Sequence, residues 1–200
     1  MAQNIVYDNG PINGTTDAWS INSGFVVSDS FFDGGNFFGI TELAFGAWLM
    51  PGDVLESVEV SITSAEFGGT VYDDEVVHFT QSGCSANQYG FNVCTETGSL
   101  VSGPNLARGT YWLNLQNAVT ASSNQNGVTS TGDPIYWDEN SGPSSASENS
   151  VGTIPSEAFT ILGEATDANT PASSTPEPGS FLLLGSGALA LFGYLTRKLF

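Results

Sequence analysis

Val58-Glu59-Val60-Ser61-Ile62-Thr63 is the stretch of sequence that decides the fold class. Three large β-branched residues alternate with polar ones, and the side chains of a strand point alternately to opposite faces of a sheet. The stretch therefore predicts a half-buried strand, with Val58, Val60 and Ile62 on the core side.

Similar short runs lie on both sides of this strand. Residues 43–50 are almost continuously apolar, as in a strand covered on both faces, and residues 24–32 predict another clear strand. Weaker runs occupy residues 4–7, 75–80, 88–94, 110–116, 134–137 and 158–162. Turn sequences such as Pro51-Gly52-Asp53 separate the runs. About nine short strands without helical periodicity predict an all-β domain over residues 1–163, a single antiparallel β-sandwich of jelly-roll-like form.

The charge balance is strongly acidic and uneven along the chain. Twenty-one Asp and Glu stand against three Lys and Arg, which gives a formal net charge of −18. Nucleic acid is excluded as a partner, because nothing in this composition could neutralise a row of phosphates. Two of the three basic residues, Arg197 and Lys198, lie within the last four positions.

The segment 179–200 has the pattern of a membrane anchor. The nineteen residues between Glu177 and Arg197 are uncharged and would span about 28 Å as a helix, close to the hydrocarbon thickness of a bilayer. Arg197 and Lys198 follow at once, so the positive-inside rule places the C-terminus in the cytoplasm. A buried core helix is the alternative, but it does not account for the basic end. We predict one C-terminal transmembrane helix.

A proline-containing motif precedes the anchor. Pro176-Glu177-Pro178, an apolar run and a basic end, in that order, resemble the PEP-CTERM sorting signal of Gram-negative bacteria that make exopolysaccharide. The resemblance covers residues 175–200 and implies that an exosortase-type membrane protease processes the tail near the motif. It also implies transient anchoring in the inner membrane, followed by release to the cell surface or the extracellular space.

Residues 164–178 predict a flexible stalk between the globule and the anchor. They are rich in Pro, Ser and Thr and contain no large apolar side chain, so burial cannot offset the entropy lost on ordering. At the other end, Met1-Ala2-Gln3-Asn4 lacks the basic and apolar regions of a signal peptide. Because the PEP-CTERM resemblance implies export, we expect a leader upstream of this sequence.

Cys84 and Cys94 are the two cysteines of the chain. An even number in an exported protein favours a disulfide, which would stabilise the fold by about 2–3 kcal/mol. A zinc site is one alternative, but the spacing is wide and the chain has one His. Two unpaired thiols are the other alternative, and we predict the disulfide.

Residue patterns for catalysis are weak. The single histidine, His78, lies in an alternating strand, and the chain has no Gly-x-Ser-x-Gly nucleophile elbow. Asp138 with Glu139, or the acidic run 73–75, could supply the carboxyl pair of a glycan hydrolase. With twenty-one acids in the chain, neighbouring acids are expected by chance. We therefore predict no enzymatic activity, no catalytic residue and no cofactor.

The same acidic positions are candidate calcium ligands. Asp73, Asp74 and Glu75 follow an aromatic residue, as do Asp138 and Glu139, and carboxylates commonly bind Ca²⁺ in extracellular domains. Their spacing does not match an EF-hand loop. A solvated acidic surface is the simpler interpretation.

Two aromatic pairs, Tyr111-Trp112 and Tyr136-Trp137, lie beside polar residues. In a strand one member of each pair should point outward, which makes Trp112 and Trp137 candidate glycan-stacking residues. Core packing is the default for such large side chains. We predict a structural or adhesive protein of an exopolysaccharide matrix or biofilm. A carbohydrate-binding module, with or without calcium, is the alternative, and a glycan hydrolase comes third.

Overall fold

The structure, a computed structural model, describes residues 4–35, 38–122 and 133–165. Within these residues the chain forms twelve strands, all paired antiparallel, and no helix. The predicted all-β antiparallel class is therefore confirmed. The predicted anchor and the stalk from residue 166 onward lie outside the described residues. No helix in the described part of the chain is long and apolar enough to cross a bilayer.

The strands are β1 (Asn4–Asp8), β2 (Ala18–Ser20), β3 (Val26–Asp33), β4 (Phe38–Leu49), β5 (Asp53–Ala65), β6 (Gly68–Ala86), β7 (Asn92–Ser99), β8 (Gly109–Ser122), β9 (Tyr136–Asp138), β10 (Ala146–Glu148), β11 (Gly152–Ile154) and β12 (Phe159–Ala165). Each of the nine predicted runs overlaps a different strand. The strands that the sequence did not predict are β2, β10 and β11, which are three residues long. Three residues are too few for an alternating pattern to be recognised.

The strands form a continuous antiparallel sheet that curls into a half-barrel. Its order is β1-β12-β4-β7-β6-β5-β8-β3-β10-β11, while β9 pairs with β4 and with β2. β6 is nineteen residues long and joins the two halves of the sheet. Its first part, up to His78, pairs with β5, and its second part, from Phe79 onward, pairs with β7. A wide sheet of twisted strands tends to curl in this way.

The hydrophobic core lies inside the curl. Val58, Val60 and Ile62 of β5 are at most 1% exposed, as the alternation predicted. The rings of Tyr7 in β1 and Phe31 in β3 are 6.2 Å apart, although these strands are far apart in the order of the sheet. The two halves of the sheet therefore share one core.

The predicted turn at Pro51-Gly52 connects β4 to β5. Gly52 has a φ of +96°, a backbone conformation that side chains other than glycine disfavour. The N–H of Asp53 donates to the carbonyl of Met50 at 3.0 Å, which closes the turn. Trp48 lies two residues before Met50, near the end of β4.

Candidate functional site

A hairpin closed by a disulfide forms one wall of the candidate site. Cys84 and Cys94 are bonded, which confirms the predicted bridge between β6 and β7. Beyond the bridge, the side-chain oxygen of Asn87 accepts the N–H groups of Tyr89 and Phe91, both at 3.0 Å. The tip of the hairpin is therefore fixed at its base by a covalent bond and at its turn by hydrogen bonds.

Four aromatic side chains line a cleft beside this hairpin. This aromatic cleft is formed by Trp48, Tyr89, Phe91 and Tyr136 with Thr16, Asp17 and Ala18, and its volume is about 380 Å³. The ring of Tyr89 stacks on that of Trp48, with centroids 5.5 Å apart and planes 20° apart. The ring of Phe91 meets that of Tyr136 edge-on at 5.5 Å. Trp48 is 4% exposed and Tyr89 is 52% exposed, so Trp48 forms the floor and Tyr89 the rim.

Strand pairing brings these rings together. Trp48 in β4 lies opposite Tyr136 in β9 on one side and opposite Val93 in β7 on the other. Residues directly opposite each other in an antiparallel pair share a face of the sheet. Trp48 and Tyr136 therefore point to the outer face, whereas their neighbours Ala47 and Trp137 point into the core.

Asp138 holds the floor of the cleft and the loop beside it. Its Oδ1 accepts the indole N–H of Trp48 at 2.6 Å and the backbone N–H of Gly14 at 2.9 Å. Its Oδ2 accepts the N–H of Asn13 at 2.7 Å. Burial raises the pKa of Asp138, and these hydrogen bonds partly offset the rise. Gly14 has a φ of +64°, and a Cβ there would lie 2.7 Å from Val93, so this approach requires glycine.

A second cleft, the polar cleft, borders the same loop and hairpin. Its volume is about 440 Å³, and the polar side chains that line it belong to Asn13, Thr15, Ser85, Asn87, Gln88 and Thr95. The loop and the hairpin meet where Gln88 Nε2 donates to the carbonyl of Thr15 at 3.3 Å and Tyr89 Oη donates to it at 3.4 Å. None of the described residues that line this cleft is charged.

A family model for the PEP-CTERM protein-sorting motif matches residues 174–198. The chain carries a PEP-CTERM sorting signal. The match includes Pro176-Glu177-Pro178 and the basic residues Arg197 and Lys198, all outside the described residues. The signal implies an exported surface protein with an exosortase as its processing partner. A comparison with curated proteins finds no match to this chain.

In the globule that this PEP-CTERM signal follows, the two predicted glycan-stacking residues do not line either cleft. Trp137 is fully buried, and its Nε1 donates to the carbonyl of Ala158 at 3.0 Å. The prediction that Trp137 offers a surface platform is therefore wrong, because the outward member of that pair is Tyr136. Trp112 is half-buried on β8, opposite Thr63 of β5.

The three acidic side chains of the run on β6 have different surroundings. Glu75 accepts the backbone N–H groups of Val101 at 2.9 Å and Ser102 at 3.2 Å, so it fixes a loop of its own chain. Asp74 is exposed. Burial, and then the neighbouring Glu75 carboxylate, raise the pKa of Asp73 to about 6.

Asp138 and Glu139, the other predicted acidic pair, have different hydrogen-bond partners. Asp138 accepts the backbone N–H groups of Asn13 and Gly14, while Glu139 accepts the indole N–H of Trp19 at 3.2 Å. Among the described residues, no group of three or more His, Cys, Asp or Glu side chains is placed to hold a metal. The predicted acidic sets at residues 73–75 and 138–139 therefore do not form such a group. Both oxygens of Asp138 accept hydrogen bonds, and its side chain is fully buried.

Two further carboxyl groups lie together in the interior, and no sequence pattern predicted them. Asp29 in β3 and Glu157 before β12 are both 0% exposed, and the N–H of Glu157 donates to Asp29 Oδ2 at 2.7 Å. Burial raises the pKa of Asp29 to about 7. Burial and then the Asp29 charge raise the pKa of Glu157 well above its ordinary value. Desolvation favours the neutral form of both acids, and among the described residues no cation faces the pair to offset this effect.

Proposed function

We propose that this protein is a structural or adhesive component of the exopolysaccharide matrix or biofilm of a Gram-negative bacterium, rather than an enzyme. The sorting motif at residues 174–198 carries this proposal. Signals that it resembles occur in bacteria that make exopolysaccharide. The acidity supports the role, because a globule with strong net negative charge repels its own copies and stays soluble outside the cell.

The tail would act in an ordered sequence of steps. A leader upstream of this sequence directs export, and the apolar run 181–195 then stops transfer and anchors the chain in the inner membrane. Arg197 and Lys198 keep the C-terminus in the cytoplasm. Pro176-Glu177-Pro178 marks the chain for the exosortase, which releases the globule to the surface.

Mass spectrometry of the protein recovered from its native cell tests this mechanism. The double substitution Glu177→Ala and Pro178→Ala should leave the full mass in the membrane fraction, whereas the natural chain loses its tail. Pro171→Ala is the matched control, since Pro171 lies in the same stalk but before the matched segment. If the double variant is trimmed to the same mass as the natural chain, the proposed sorting mechanism is wrong.

A carbohydrate-binding module is the second candidate function. The observation that favours it is the aromatic cleft, where the exposed ring of Tyr89 is held against Trp48. Clefts with aromatic walls and a few polar groups are typical of small-ligand sites. Retention of the protein on polysaccharide tests this candidate.

For the fold, we propose that the curled sheet is an open form of the predicted jelly-roll-like β-sandwich. In this arrangement the strands on the two sides of β6 act as two layers over one core. The contact between Tyr7 of β1 and Phe31 of β3 supports the proposal, because it bridges the two sides.

A further inference from the structure

We propose that the aromatic cleft and the polar cleft together bind a chain of neutral sugars, with one sugar ring stacked on Tyr89. This inference rests on the matrix role proposed above for the source of the polymer. It goes further by assigning the site, its stacking residue and the class of sugar. Four features of the site support it: the rigidity of the exposed ring, the polar groups beside that ring, the second cleft and the local charge.

Tyr89 is an exposed ring on a rigid support. It is 52% exposed at the tip of a hairpin, yet its ring is stacked on Trp48 and its N–H is held by Asn87. A surface ring that is already immobile loses little entropy when a ligand stacks on it.

The groups beside Tyr89 suit the two kinds of surface that a sugar presents. The C–H groups of a pyranose form an apolar face that packs on an aromatic ring, while its hydroxyl groups lie around the edge. Thr16 and Asp17 line the aromatic cleft next to Tyr89 and provide a hydroxyl and a carboxylate. These groups can receive the edge hydroxyls of a ring stacked on the aromatic wall.

The polar cleft provides a second subsite. The hydroxyl groups of Ser85 and Thr95 line it, and a hydroxyl both donates and accepts hydrogen bonds, as sugar hydroxyls do. The contact of Gln88 and Tyr89 with Thr15 stands between this cleft and the aromatic one. Both volumes, about 380 and 440 Å³, fall within the range of ligand clefts. Two adjoining subsites favour a chain over a single sugar.

The charge of the site selects against anionic polymers. No basic side chain lines either cleft, and Asp17 is the one charged residue among the described residues that do. Arg108, the one Lys or Arg in the described part of the chain, instead lies over the ring of Phe32 at 5.8 Å. The carboxylates or sulfates of an anionic polymer would find no basic side chain at either cleft and would be repelled by the acidic globule. Neutral sugars therefore fit the site best.

Native gel electrophoresis in polymer-containing gels tests the inference with the full chain. The protein is kept in a polyoxyethylene detergent, which has no sugar headgroup to compete. The gels contain one of three neutral polymers (hydroxyethylcellulose, galactomannan or dextran) or the anionic polymer alginate. We expect at least one neutral polymer, and not alginate, to slow migration. Tyr89→Ala should weaken binding about tenfold, the loss expected for one aromatic stacking contact.

Tyr72→Ala is the matched control, because Tyr72 is 41% exposed but lines neither cleft. It should bind like the natural chain, and melting curves should show that both variants are folded. The inference is overturned if no neutral polymer slows the natural chain, if alginate slows it as strongly, or if Tyr89→Ala and Tyr72→Ala bind alike. The outcome is independent of the tail, since the sorting proposal fails only in the mass measurement on the Glu177→Ala and Pro178→Ala variant.

Discussion

The indole nitrogen of Trp48 donates a 2.6 Å hydrogen bond to Oδ1 of Asp138, which is fully buried. The floor of the aromatic cleft is thereby tied to an interior carboxyl group. The same carboxyl accepts two backbone N–H groups of the loop that borders both clefts. One side chain therefore sets the position of the floor of the cleft relative to this loop.

Asp138→Ala should strongly destabilise the protein. The substitution leaves the donors on Trp48 and Gly14 buried without their acceptor, and the N–H of Asn13 also loses its partner, at a total cost of about 3 kcal/mol or more. Asp138→Asn keeps one acceptor oxygen and should lose less. Urea unfolding at neutral pH measures both losses, with Asp74→Ala on the exposed face of β6 as the control. A loss for Asp138→Ala no larger than that of the control would contradict this role.

Stability should fall as the pH rises from about 4 to about 8. Burial raises the pKa of Asp29 from 3.8 to about 7 and that of Glu96 from 4.5 to about 8. The folded chain therefore holds protons that the unfolded chain releases in this window, so unfolding becomes more favourable as the pH increases. Urea midpoints at pH 5 and pH 8 check this prediction. We expect the lower midpoint at pH 8, and an equal or higher midpoint there would contradict the raised pKa values of these carboxyls.

The strand at residues 58–63 could be predicted because its signal is local. Alternation along one strand states which side chains face the core, and Val58, Val60 and Ile62 are buried accordingly. The orientation of the Tyr136-Trp137 pair could not be predicted in this way. Both side chains are large and amphipathic, so the outward one is decided by the pairing of Tyr136 with Trp48.

The candidate site depends on contacts between distant parts of the sequence. Trp48, Tyr89 and Tyr136 come from β4, a hairpin tip and β9, and no spacing in the sequence relates them. Asp138 and its neighbour Glu139 have the pattern of metal ligands or a solvated surface. In the fold, Asp138 instead accepts a hydrogen bond from the loop at Asn13, which is far away in sequence. A pattern of residue types cannot report such a contact.

Glu96→Gln should stabilise the protein at high pH and change little at low pH. Glu96 on β7 is 0% exposed, and neither carboxyl oxygen has a hydrogen-bond partner in the described part of the chain. Glutamine has nearly the same shape but cannot ionise, so the cost of charging a buried group disappears. The urea midpoints of the variant and the natural chain should differ at pH 9 and converge at pH 5. Glu66→Gln in the exposed turn is the control, and an equal effect there would contradict the interpretation.

Reduction of the Cys84–Cys94 disulfide should lower stability and also weaken sugar binding. The bond closes the base of the hairpin that carries Tyr89, so its loss frees the unfolded chain and loosens the stacking ring. The expected loss of stability is about 2–3 kcal/mol. Urea unfolding with and without dithiothreitol measures this loss, and the polymer gels measure binding. The double variant Cys84→Ser and Cys94→Ser should respond to neither reductant nor oxidant. If reduction destabilises the natural chain but leaves its binding unchanged, the hairpin position is set by the Asn87 turn alone, and the disulfide has no part in the site.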